Sequence, residues 1–126
     1  MNKISNIIIN IGGNNQVLIY IMIFTISIIV SAFIDNIPYV ATMLPVISTL
    51  ATTTNINPYL LYYTLIIAST LGGNFTPIGA SANIAALGIL KKNGYEVKLK
   101  EYLKYSIPIT LSASLVGFII TFIVQK

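Results

Sequence analysis

Between Lys3 and Lys91 the chain carries a single charged side chain, Asp35. Long runs of Ile, Leu, Val, Phe, Tyr and Ala surround it, and this scarcity of charge limits the fold more than any other feature. Hydrophobic residues fill 56% of the 126 positions and charged residues 8%, and the mean hydropathy is +0.85. Water-soluble domains carry about 25% charged residues. So short a chain also has too little interior to hide this much apolar surface. The class that fits is an all-α integral membrane protein, in contact with the lipid bilayer and expected to cross the plasma membrane more than once.

The residue types that are missing exclude much chemistry. With no Cys and no His there are no disulfides, no thiol chemistry and none of the usual zinc, copper or haem ligand sets. Three acidic residues are too few for a carboxylate metal cage or a glycosidase pair. No nucleophile–base pair can be assembled, so neither an enzyme nor a bound cofactor is expected. Five of the seven lysines, Lys91, Lys92, Lys98, Lys100 and Lys104, share one segment with Glu96 and Glu101. That segment lies between two membrane-length runs, so a cytoplasmic loop obeying the positive-inside rule is expected, not a nucleic-acid patch. Lys3 resembles the basic start of a signal peptide. No small-residue cleavage site follows before the next apolar run, so the first run reads as retained.

Along the chain, residues 1–16 place Ile4, Ile7, Ile8 and Ile11 at helical spacing and then reach Gly12 and Gly13. This predicts an interfacial amphipathic leader that ends at the glycine pair. Residues 17–34 are uncharged, and as a helix would span about 27 Å at 1.5 Å per residue. They stop at Asp35-Asn36-Ile37-Pro38, and residues 39–54 form a second uncharged run carrying Pro45. Residues 17–54 are therefore either two crossings or a re-entrant helical hairpin with Asp35 near its tip. Pro58 opens a third run. Residues 58–90 then read as a broken transmembrane helix, interrupted by GGNFTPIGASAN at 72–83 near the middle of the crossing. The basic loop is predicted over 91–104. A full transmembrane helix is predicted over 105–125, with Pro108 in its first turn and Ser112, Ser114 and Gly117 as a small-residue packing face. If the basic loop faces the cytoplasm, the broken helix enters from outside and the last helix ends outside.

Each interruption has a chemical reading and a bland one. A carboxylate inside a membrane is costly unless it is paired, hydrated or protonated, which suits Asp35 to a proton- or sodium-coupled site. Pro38 donates no hydrogen bond and disfavours helix at Ile37, which would leave carbonyls free for a cation. The bland reading makes Asp35 and Asn36 an interfacial loop and helix cap. In the second interruption Gly72 and Gly73 release the backbone from helical geometry. Thr76 is then expected to cap the second half-helix, with Pro77 at its first position. The N–H groups of 78–80 would form a positive end that attracts an anion. Asn74, Ser81 and Asn83 add neutral donors and acceptors. A surface loop between short crossings is the bland alternative. A phosphate-binding loop fails for want of the GK[ST] ending.

The sequence SAFIDNIPYVATMLP, followed by LGGNFTPIGASANIAALGI and a Lys/Glu-rich stretch with EYLKYSIP, resembles the C-terminal part of the ion transporter superfamily. The likeness covers residues 31–108 and is strongest to arsenite permeases and NhaD-type sodium/proton antiporters, a citrate transporter-like group. It implies an elevator-type transporter of two inverted repeats, each with a re-entrant hairpin and a broken helix. It assigns Asp35, Asn36 and Pro38 to the hairpin tip. Gly73, Asn74, Thr76, Pro77, Gly79, Ser81 and Asn83 go to the broken helix, with sodium expected near Asp35, Asn36 and Asn83. Such transporters are several times longer. A missing N-terminal half, a companion chain or a homo-oligomer is therefore the expected partner, and an inactive fragment or non-transporting subunit is the competing reading.

Overall fold

A computed structural model describes residues 3–125, in which six α-helices are the only regular elements. They are α1 (Lys3–Gly12), α2 (Gln16–Ser31), α3 (Asn36–Thr54), α4 (Pro58–Gly72), α5 (Ser81–Lys92) and α6 (Leu99–Gln125). Two of them, α3 with 19 residues and α6 with 27, are long and apolar enough to cross a membrane. Helix α2 is apolar but has 16 residues.

Local chemistry sets the boundaries. Gly13 adopts φ +56°, a conformation that costs glycine little, and so ends α1. The Asn15 side chain accepts from the Val17 and Leu18 amides and opens α2. Asn55 turns left-handed after α3, and Asn57 caps α4 just before Pro58.

Helix α4 is the centre of the packing and touches α2, α3 and α6. Leu60, Leu61, Leu65 and Ala68 are fully buried on it. Near its end, α2 approaches so closely that a Cβ on Gly72 would lie 2.6 Å from the Ile28 carbonyl oxygen. There Ser31 Oγ also donates to the Ser69 carbonyl at 2.6 Å. At the start of α2, Tyr20 stacks 4.8 Å from Phe118 and 5.3 Å from Phe122, near the end of α6. Helices α2 and α4 therefore run in one sense and α6 in the other. The expected small-residue face of α6 is partly used. Ser114 is buried, and Gly117 sits against Ile67 and Leu71 of α4, whereas Ser112 is exposed.

Several boundaries differ from expectation. Helix α6 begins at Leu99, not at residue 105, so the second half of the predicted basic loop is helical. The Lys98 carbonyl accepts from the Glu101 and Tyr102 amides and nucleates it. Pro108 consequently lies inside α6, not in its first turn. Ile37 is helical as well: Asn36, Ile37 and Pro38 form the first turn of α3, where a missing N–H breaks no helical bond. On α1 the isoleucine face is mostly bare. Ile8 is buried, while Ile4, Ile7 and Ile11 stay 46–62% exposed.

Candidate functional site

The two interruptions meet. Asp35 lies between α2 and α3, and its carboxylate accepts from two backbone amides. Oδ1 takes the Ile37 N–H at 3.4 Å and caps α3, and Oδ2 takes the Ser81 N–H at 3.1 Å at the start of α5. One side chain thus holds two helix ends that are far apart in sequence. The capping reading of Asp35 is correct as geometry, and the same carboxylate also joins the α2–α3 turn to the break.

Three further contacts lock the junction. Thr76 Oγ1 donates to the Ala32 carbonyl. Gly79 is buried so tightly that a Cβ would sit 2.6 Å from the Gly73 oxygen, 2.8 Å from that of Ala32 and 2.9 Å from that of Ser31. Asn83 Nδ2 reaches back from α5 to the carbonyls of Gly73 at 2.9 Å and Thr76 at 3.3 Å, closing the break on itself.

Thr76 does not cap the second half-helix. That helix starts at Ser81 after Ala80, which is extended and gives no side-chain cap. The expected anion-attracting end at 77–80 therefore does not form. At the true start one amide is already occupied by Asp35.

Of the residues singled out by sequence, Asp35, Gly73, Thr76, Gly79, Ser81 and Asn83 come together in this junction. Pro77 lies within the break and is half-buried. Asn36 and Pro38 stand in the first turn of α3, and among the described residues no hydrogen bond ties their side chains to the break. Asn74 is held elsewhere: its Nδ2 donates to Thr70 O at 3.3 Å, and its carbonyl accepts from Tyr102 Oη at 3.1 Å. Sequence reasoning missed the parts played by Ser31, whose hydroxyl holds the Ser69 carbonyl, and Ala32, whose carbonyl accepts from Thr76, and by Tyr102 and Ser106 of α6. The last two had a signal: they stand four apart in EYLKYSIP, on one helical face.

Among the described residues no cluster of three or more His, Cys, Asp or Glu could hold a metal. A cation here would need Asp35, amide side chains and backbone carbonyls, a donor set that suits sodium at a broken helix. A cavity of about 540 Å³ opens beside the junction between α5 and the start of α6, lined in part by Asn74, Asn83, Leu87, Tyr102 and Ser106.

Known proteins are similar to this chain in sequence. A family model described as "Citrate transporter" matches residues 1–125. A "46 kDa membrane protein" of Mycobacterium leprae is 33% identical over 120 residues, covering 93% of this chain and 28% of the relative. The "P protein" of Mus musculus is 39% identical over 99 residues, covering 77% of this chain and 12% of the relative. An "uncharacterized transporter" of Mycobacterium tuberculosis is 36% identical over 100 residues, covering 78% and 23%. The chain therefore spans between 12% and 28% of the length of these relatives. No solved structure matches it.

Proposed function

The chain belongs to the citrate transporter family, and on that premise we propose that it is the site-forming part of a secondary transporter that moves a small anion with a proton or sodium ion. The observation that carries this reading is the Asp35 carboxylate seated on the Ser81 amide, where two helix interruptions lock together. Helix starts attract anions, and here the attraction is satisfied internally. A cation or proton bound at Asp35 neutralises the carboxylate and loosens its hold on Ser81. The start of α5 then becomes available to a carboxylate or oxyanion of the substrate. The substrate leaves when Asp35 recovers its charge. Coupling follows because each ligand changes the energy of the arrangement that the other binds. The rest of the transporter, either further chain or a companion subunit, supplies the remaining half of the site.

The test is uptake of labelled citrate into sealed vesicles bearing the assembled protein, with and without a sodium or proton gradient. Asp35→Asn keeps one oxygen acceptor and removes the charge. It is expected to insert normally and to lose gradient-driven uptake. Gradient-driven uptake equal to that of the unaltered protein would sink the assignment of Asp35.

A further inference from the structure

The cavity of about 540 Å³ between α5 and the start of α6 has a mostly apolar wall, formed by Ala86, Leu87 and Leu90 on one side and Val97, Tyr105 and Ile109 on the other. Asn74, Asn83, Tyr102 and Ser106 line it too, but each donates to a carbonyl of α4 or the break. A wall whose polar groups are engaged inward suits an apolar occupant better than a polar solute. Helix α5 buries none of its residues, and Ile84, Ile89 and Leu90 are 40–62% exposed.

One end of this groove is charged. Leu87 and Val97 also line an adjoining cavity of about 230 Å³, together with Lys91 and Glu96. Lys104 Nζ lies 5.7 Å from the ring centroid of Tyr105, which brings a second ammonium group to the groove. Lys92, Lys98 and Lys100 are exposed in the same segment. Glu96 and Glu101 stand among them, and among the described residues neither forms an ion pair with a lysine. Five ammonium groups against two carboxylates leave the rim net positive.

We propose that the α5–α6 groove is a binding site for one anionic phospholipid, with an acyl chain along Leu87, Leu90 and Ile109 and the phosphate between Lys91 and Lys104. An apolar protein helix would cover the wall but leave ammonium groups beside it without partners, which is costly. A free oxyanion would meet the lysines but leave the apolar wall uncovered. A lipid of the cytoplasmic leaflet satisfies both, and the lysine-bearing end of a membrane helix lies at the depth of its headgroups. Lysine suits this rim because its methylenes lie on apolar surface while the ammonium group stays with the phosphate. Lipid binding here is independent of what the assembled protein carries across the membrane.

The test is native mass spectrometry of the full chain in detergent, titrated with phosphatidylglycerol or with phosphatidylcholine of the same chain length. One phosphatidylglycerol is expected to stay bound at concentrations where phosphatidylcholine does not. Lys91→Gln and Lys104→Gln should each weaken it about fivefold, the weight of one lysine at an anionic headgroup. Lys3→Gln, outside the segment, should leave it unchanged. Leu87→Trp fills the groove and should abolish retention although every lysine remains. Thermal unfolding checks that the variants fold, and Leu90→Trp, on the exposed part of the wall, gives the same readout should Leu87→Trp not fold. Equal retention of the two lipids overturns the proposal. So does phosphatidylglycerol binding that survives the filled groove, which would be general attraction to the basic segment. Displacement of the lipid by inorganic phosphate at equal concentration would make the ligand a free anion, and a lipid-free dimer broken by Leu87→Trp would make a second copy the cover; either result also overturns it.

Discussion

Gly79 and Gly88 have the same side chain and opposite surroundings. A Cβ at Gly79 would press on three backbone oxygens within 2.9 Å, none of which can rotate away, whereas at Gly88 it would meet nothing within 4 Å. Gly79→Ala is therefore expected to force the end of α2 and the break apart and to cost about 1–3 kcal/mol, as overpacking does. Gly88→Ala should be neutral or stabilise α5 by up to about 1 kcal/mol, because alanine favours helix over glycine. Thermal unfolding of both variants in detergent checks the pair, and equal effects would contradict the junction. At this scale the sequence was legible where a side chain is required. Asp35 stood out as a lone charge, and Gly79 and Asn83 as part of a helix-breaking motif. Ala32 was not legible, because it contributes a carbonyl, which every residue type has, and Ser31 was not, because a serine hydroxyl in an apolar run does not name the Ser69 carbonyl that it holds. Nor was the true start of α5. Thr76-Pro77 has the chemistry of a helix start, but the Thr76 hydroxyl is committed to Ala32.

Helix α4, read from the sequence as the first half of a broken helix, is the element that α2, α3 and α6 pack on. Its sequence is apolar on every side, so periodicity shows no preferred face, and burial on several sides is the reason. Leu65 is fully buried on α4 whereas Ile89 on α5 is 62% exposed. Leu65→Ala should thus cost about 2–5 kcal/mol, and Ile89→Ala should fall within about 0.5 kcal/mol of the unaltered chain. Denaturant unfolding in micelles measures both. A large loss at Ile89 would mean that α5 packs against something within the chain. The start of α6 was hidden for a different reason. Lys and Glu serve equally in a solvated loop and in a helix surface, so the composition of 99–104 does not decide between them. The hydrogen bonds from Tyr102 and Ser106 into the break favour the helix, because only a helix presents both hydroxyls on one face.

At the scale of the molecule α6 is a ruler for depth. Asn57, in the turn before α4, donates through Nδ2 to the carbonyl of Gln125 at 3.2 Å, so that turn lies level with the end of α6. The break lies level with Tyr102 and Ser106 near its start. At 1.5 Å per residue these levels are about 30 Å apart, roughly one hydrocarbon thickness. The knotted interruptions therefore lie toward the lysine-bearing end of the bundle, not halfway along it as a break in mid-crossing would require. Lysines near a helix end favour the cytoplasmic side, so the junction should be reachable from the cytoplasm in this arrangement. The chain contains no cysteine, which makes the measurement direct. Asn74→Cys and Tyr95→Cys should react with a membrane-impermeant maleimide in inside-out vesicles, and Asn57→Cys in right-side-out vesicles. Labelling of Asn74→Cys together with Asn57→Cys from one side would mean that the break has crossed to the other face. For a transporter that would be the opposite end of its cycle, and adding sodium or citrate should then move the Asn74→Cys signal between the two vesicle types while leaving Tyr95→Cys and Asn57→Cys where they are.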